Sequence, residues 1–298
     1  MTELLLVPGQ SPVGAWLRQS SDVRTIDERC WQLSLDGGVP LRVSAMMDDP
    51  FLLFDAPPPV TCEFAQAPQW LGWNMLLSGN AKLAFAPKPW RLRLRAEIPV
   101  NDDDDTQARI AETVAGLSAA CRLLQQGSAA SNDTVSTHAA TDPANASRGL
   151  PVLLQEIGWP FQERASGAST VELAIRNESC RVLLEEDSSG IRAGIEFLQI
   201  HAITACARLA IAAMLLSAAG SVRFARPFAT DVNDDFACGY EVKLAGGTSA
   251  GELEHALEAL AVACWACKLE AQSLLDNSVA ESYLAIRNFS PTLAREEF

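Results

Sequence analysis

Apolar and polar positions alternate most sharply over Trp90–Ile98. There Trp90, Leu92, Leu94, Ala96 and Ile98 interleave with Arg91, Arg93, Arg95 and Glu97. A period of two predicts a strand with one face on a core and the other toward solvent. Weaker alternation predicts strands at Trp31–Leu35, at Val39–Ala45 and at Phe51–Phe54. Gly37-Gly38 between the first two is a hairpin signal, and Pro57-Pro58-Pro59 closes the third. Helical periodicity takes over at Pro12–Gln19 and at Pro68–Leu77, where Trp70, Trp73, Leu76 and Leu77 read as one face. After the acidic run Asp102–Asp105 a long helix is expected to about Gln126, with the carboxylates complementing its dipole.

The remainder of the chain runs through the same order. A short helix is predicted at Leu150–Ile157, and strand segments follow at Phe161–Ala165, Thr170–Ile175, Cys180–Glu185 and Ile191–Leu198. An apolar helix at 200–218, strands at Val222–Phe228 and Phe236–Leu244, and a long helix from Ser249 complete it; Ser249 and Glu252 fit a capping box. Met75-Leu76-Leu77-Ser78 with Leu83-Ala84-Phe85-Ala86 returns as Met214-Leu215-Leu216-Ser217 with Val222-Arg223-Phe224-Ala225. The offset is 139 residues, from Met75 to Met214 and from Phe85 to Phe224. Ile110, Val114, Leu117 and Cys121 match Leu253, Leu257, Leu260 and Cys264 at an offset of 143. Four extra residues are therefore expected between the matched helices of the second copy, most of them in the loop Thr230–Asp235. A period near half the chain length signals a doubled domain rather than a solenoid.

The predicted fold class is α+β: a tandem duplication of an α-β-β-β-α-β-β-α unit with antiparallel sheet, arranged as a pseudo-dimer. The units span 1–126 and 149–298, the second including a C-terminal tail. Gln125–Arg148, rich in Ser, Ala, Thr, Asn and Asp and without an aromatic residue, contains the linker 127–148.

Composition narrows the function. With 298 residues, 48% hydrophobic and 20% charged, the chain reads as globular and large enough for two cores. Twenty-three Lys and Arg against 37 Asp and Glu leave a net charge of −14, which disfavours nucleic acid and anionic membrane surfaces. The opening Met1-Thr2-Glu3 has no basic region, and Leu4–Val7 is too short for a secretory signal, so a cytoplasmic location is expected. Ile200–Ala219 approaches a bilayer-spanning length, but Arg208 near its middle favours a buried core helix and no membrane insertion.

Catalytic signatures are sparse. Cys264-Trp265-Ala266-Cys267 has the dithiol spacing but lies inside a helix rather than at its start. Core packing is the expected role of these and the other cysteines. Asp231–Asp235 opens like a calcium loop, but Phe236 and Val242 stand where Gly and Glu are needed. His138, His201 and His255 lack ligand-spaced neighbours, and no phosphate loop or nucleophile elbow is present. These readings predict no cofactor, no metal and no enzyme activity. Arg91, Arg93 and Arg95 form a basic ladder: a strip for an acidic peptide, or a solvated face paired with carboxylates.

The duplicated α-β-β-β-α-β-β-α order, the acidity and the long closing helix resemble type III secretion chaperones of the Tir-chaperone type. The resemblance implies a small cytoplasmic bacterial protein that binds a non-globular segment of a secreted protein and keeps it export-competent. Such chaperones are homodimers of one unit. Two units in one chain therefore imply a covalent, monomeric pseudo-dimer, with Pro68–Ser78 and Ile200–Ser217 packing across the pseudo-twofold axis. The Arg ladder has no counterpart at Cys238–Glu241. Partner capture by strand addition and apolar patches nominates Val39, Leu41, Val43, Phe51 and Leu53, with Arg91, Arg93 and Arg95, in copy one. In copy two it nominates Val171, Leu173, Val182 and Leu184. The alternative is a small-molecule-binding regulator or enzyme with its site between the repeats.

Overall fold

A computed structural model of the chain describes residues 23–27, 29–45, 51–86, 91–99, 106–129, 149–164, 166–175, 178–188, 190–232 and 234–286. The expected helix at 12–19, most of the expected linker and the end of the tail lie outside them. Two six-stranded antiparallel sheets, each with helices, make up the fold.

The first sheet contains β1 (Arg24–Asp27), β2 (Cys30–Ser34), β3 (Pro40–Ala45), β4 (Phe51–Ala56), β5 (Lys82–Phe85) and β6 (Leu92–Pro99), in the order β1-β2-β3-β4-β6-β5. Helix α1 (Ala67–Leu76) connects β4 to β5, and α2 (Thr106–Ala129) follows β6. The second half opens with α3 (Leu150–Ile157). Strands β7 (Phe161–Glu163), β8 (Ser169–Ile175), β9 (Glu178–Asp187) and β10 (Gly190–His201) follow. Then come α4 (Ala205–Ala218), β11 (Arg226–Val232), β12 (Asp235–Ala245), α5 (Ala250–Ser273) and α6 (Asn277–Ile286). Its sheet order is β7-β8-β9-β10-β12-β11, so both sheets place their strands by the same rule.

Each half thus has four strands before its central helix, not the three of the expected formula. The strand missed in the first half is β1, whose four residues are all exposed and therefore carry no alternation. The Gly37-Gly38 turn forms as expected: both glycines adopt left-handed φ (79° and 77°), and Leu35 and Val39 close the hairpin by hydrogen bonding. In β6, Leu92, Leu94, Ala96 and Ile98 all point into the core.

The helices hold two corrections. Helix α1 buries Ala67, Trp70, Leu71 and Asn74, whereas Leu76 is 57% exposed. The expected stripe through Trp73 and Leu76 is therefore rotated, and Leu77 is buried only after the chain leaves the helix. Ile200 and His201 belong to β10, pairing with Phe236 and Asp235, and the side chain of Thr204 caps α4 by accepting from Ala207 N–H at 3.2 Å. Helix α4 buries Ala207 and every residue from Leu209 to Leu216. No helix among the described residues is long and apolar enough to cross a membrane.

The long helices cover their sheets. Ile110, Leu117 and Cys121 of α2 and Leu253, Leu260 and Cys264 of α5, matched in the sequence, are all buried. The capping box of Ser249 and Glu252 forms at the start of α5. The extra residues of the second half are not in the expected loop Thr230–Asp235, most of which belongs to β11 and β12. They lie mostly ahead of the hairpin: the central helix has 14 residues against 10, and seven residues rather than five join it to the next strand, while β11–β12 (226–245) is only two residues longer overall than β5–β6 (82–99). Val222 and Phe224 precede β11, which begins at Arg226 rather than Val222.

The candidate functional site: a reciprocal junction and two terminal strands

The halves meet through α1, α4 and the strands that follow them. Helix α1 packs on α4 and β11, while α4 packs on β5. Each half places one buried cation at the first residue of the strand after its central helix. In the first half Lys82 Nζ lies 2.8 Å from Glu97 Oε2. In the second, Arg226 Nε lies 2.8 Å from Glu241 Oε1. All four side chains are almost entirely removed from solvent.

Each cation also reaches across the junction. Lys82 donates to the carbonyls of Val222 (2.6 Å) and Ala225 (3.4 Å). Arg226 Nη1 donates to those of Leu77 (2.8 Å), Gly79 (3.3 Å) and Ala81 (3.2 Å). The segment after each central helix therefore caps the ion pair of the other half. Such exchange, in which each side offers the other the same kind of surface, is how an isologous interface is built.

Further contacts differ between the sides. Asn74 donates to the carbonyls of Leu83 (3.3 Å) and Pro227 (2.9 Å). Phe224 stacks at a tilt on Phe51 with ring centroids 6.4 Å apart, and its N–H donates to Glu97 at 3.3 Å. Glu241 takes a second ion pair from Arg192 Nε at 2.6 Å. Lys243 donates to the carbonyls of Met75 (2.7 Å) and Leu77 (3.1 Å), at the C-terminal end of α1.

Burial sets the electrostatics here. It pulls the Lys82 ammonium below the usual lysine range, outweighing the upward pull of Glu97. The Arg226 guanidinium is lowered for the same reason, with Glu241 opposing. Lys243 is lowered to about 8, first by burial and then by the charge of Arg226.

Beside the junction is a cleft of about 290 Å³, lined by Asn80, Phe224, Lys243 and Thr248 and by α2 and α5 residues including Thr113. An ion pair between Arg109 and Glu252 at 2.8 Å joins the two long helices at its wall.

The residues nominated from the sequence do not assemble into one surface. Leu41 and Val43 in β3, Val39 just before it, Val171 and Leu173 in β8, and Val182 and Leu184 in β9 are core residues. Strands β3, β4, β8 and β9 are each flanked by neighbours on both sides, so none presents an edge. Phe51 and Leu53 are half-buried, Phe51 against Phe224. Of the Arg ladder, Arg91 is exposed. Arg93 and Arg95 converge on Asp55 of β4: Arg93 Nη2 is 2.5 Å from Asp55 Oδ2 and Arg95 Nε is 3.0 Å from Oδ1. Arg95 also donates to the Gly220 carbonyl at 3.3 Å.

The four terminal strands are β1, β5, β7 and β11. Strands β5 and β11 meet at the junction. Among the described residues, β1 and β7 have no further strand beside them. All of β1 is exposed, and Ile26 on it is a large apolar side chain half open to solvent. In β7, Gln162 and Glu163 are exposed and Phe161 is half-buried.

Cys264 and Cys267 are buried in α5, and burial pushes both thiols up, Cys264 to about 12. Among the described residues no three metal-ligating side chains cluster. Asp231 and Asp235 sit on the β11–β12 hairpin, engaged by Arg208 and His201.

Sequence reasoning missed the buried charges of the junction. Their available signal is a matched pair: Lys82 and Arg226 are 144 residues apart, and so are Glu97 and Glu241. No family model and no curated protein matches the chain.

Proposed function

We propose that the chain is a tandem duplication acting as a covalent pseudo-dimer, and that it is a non-enzymatic binding protein. In this reading it holds an extended segment of a secreted or regulatory partner in the cytoplasm, in the manner of type III secretion chaperones. The reciprocal capping of Lys82–Glu97 and Arg226–Glu241 supports it most, since each half supplies to the other what a second identical chain supplies in a twofold dimer. With β5 and β11 turned toward each other, β1 and β7 are the two edges among the described residues that could take an added strand. Backbone hydrogen bonds there would give affinity, and Ile26 and Phe161 would set register.

The test is affinity purification of the tagged chain from its native host, followed by proline substitutions along β1 and β7. An edge proline removes a donor while sparing the sheet. A partner lost on these substitutions supports strand addition. Recovery of the chain alone, or a partner insensitive to both edges, overturns it.

The junction cleft favours a second reading, a regulator that binds a small molecule between the halves, because Lys243 on its wall is lowered to about 8. Loss of a stabilising metabolite on Lys243→Met would favour it over the chaperone reading.

A further inference from the structure

The sequence draws attention to Cys264 and Cys267, three residues apart, as the one dithiol spacing in the chain. In the folded protein these two thiols look away from that pairing. Cys267 Sγ lies 3.3 Å from the hydroxyl of Tyr240, beneath the helix. Cys264 Sγ lies 3.3 Å from Sγ of Cys180, on strand β9. We infer that Cys180 and Cys264 form a reversible disulfide under hydroperoxide stress, fastening helix α5 to the sheet beneath it.

The geometry favours this pair. Closing from 3.3 Å to a disulfide bond of ~2.05 Å asks for ~1.3 Å of sulfur movement. Helix α5 already packs on β9 and on its neighbours β8 and β10, so the backbones are held at a fixed separation. Cys180 is near the beginning of β9, opposite Leu173, two registers from the β8–β9 turn. It retains 8% exposure, whereas Cys264 has none, so a small oxidant meets Cys180 first. The high pKa of Cys264, about 12, fits the same order, because a buried thiol is a poor first nucleophile.

The chemistry balances with hydrogen peroxide as oxidant. The Cys180 thiolate attacks one peroxide oxygen, the O–O bond breaks, and a sulfenic acid and hydroxide result. The hydroxide takes the proton released by Cys180 and leaves as water. Cys264 sulfur then attacks the sulfenic sulfur, the S–O bond breaks, and the departing hydroxyl takes the Cys264 proton as a second water. Two thiols have lost two electrons and peroxide has gained them. A dithiol reductant reverses the step by exchange.

The test uses the full chain, reduced, folded and treated with hydrogen peroxide, then alkylated in denaturant and mapped by mass spectrometry. The chain has eight cysteines. The expected product carries two fewer alkylated thiols and one crosslinked peptide pair containing Cys180 and Cys264, cleaved by dithiothreitol. Its melting temperature rises by roughly 4 °C or more, since the closed loop is long. Cys180→Ala and Cys264→Ala each abolish the crosslink, and Cys267→Ala leaves it. A Cys264–Cys267 link overturns the inference, as does sulfinic acid without a crosslink, or retention of all eight thiols in excess peroxide. The wild-type peptide map decides even where a core alanine impairs folding.

Discussion

Replacing Lys82 by Met should be among the most damaging single changes in the chain, and the structure says how much. At 2.8 Å the Lys82–Glu97 pair is worth roughly 6 kcal/mol of attraction at an effective dielectric of ~20. The desolvation penalty of the buried lysine outweighs this attraction, which is why burial holds it below its usual range. Lys82→Met removes the attraction and keeps the Glu97 penalty. The carboxylate would be left with the Phe224 N–H at 3.3 Å and Arg223 at 3.9 Å. The carbonyls of Val222 and Ala225 would lose their donor as well. A loss of about 4 kcal/mol is expected, within the usual ~3–5 kcal/mol for a broken buried pair. Lys82→Met with Glu97→Leu removes both ions, so the double variant should lie only about 1–2 kcal/mol below wild type, the residue of the two orphaned carbonyls and the Phe224 N–H. Urea unfolding followed by tryptophan fluorescence and circular dichroism measures all three proteins. A single-variant loss under about 1 kcal/mol, or a double variant no more stable than the single, would refute the reasoning.

Three other outcomes follow from the same geometry. Lys243 is lowered to about 8 in the folded chain against 10.5 unfolded, so between those values the unfolded chain holds more protons on this group and its own contribution to stability rises with pH. Buried thiols such as Cys264 and Cys267 act in the opposite sense, so the quantity to read from stability curves is the difference: the stability of wild type relative to Lys243→Met should rise from pH 8 to 10. Gly239→Ala would set a Cβ 1.9 Å from the Ile195 carbonyl oxygen, where β10 and β12 shift register, and should cost about 2–3 kcal/mol. Gly194→Ala meets nothing nearer than 3.9 Å and should stay within ~1 kcal/mol of wild type by thermal melting. Finally, a protease site placed between residues 130 and 148 and then cut should leave the halves co-eluting in size-exclusion chromatography. Their separation at micromolar concentration would contradict a junction of this size and polarity.

Much of the fold is legible because a strand with one buried face writes its period into the sequence. The alternation of β6 locates it within two residues of its observed start. β1 is illegible for the opposite reason: with every side chain exposed, Arg24–Asp27 has no buried face to mark. The rotated face of α1 has a tertiary cause. Its buried Asn74 bonds to Leu83 and Pro227, a polar residue inside the stripe where an apolar one was expected. The end of β10 was hidden likewise, because Ile200 reads as helix until its pairing with Phe236 is known. The junction was hardest. Lys82 and Glu97 alternate as solvent-facing residues, and only the arrival of Val222 and Ala225 turns that face into an interior. The nominated apolar residues Val39, Leu41 and Val43 show the converse limit, since hydrophobicity cannot distinguish a docking patch from a core.

The cross-capped ion pairs also set a schedule for synthesis. The carbonyl that caps Lys82 at Val222 lies 140 residues further along the chain. At ~5–20 residues per second, a ribosome needs roughly 7–30 s to supply it. For most of that interval, once β6 has been made, the first half exists with its sheet translated and its buried lysine facing water or a stand-in. Nascent chains should therefore pass through a long-lived, half-finished state in which the face destined for the second half is open to whatever holdase binds it first.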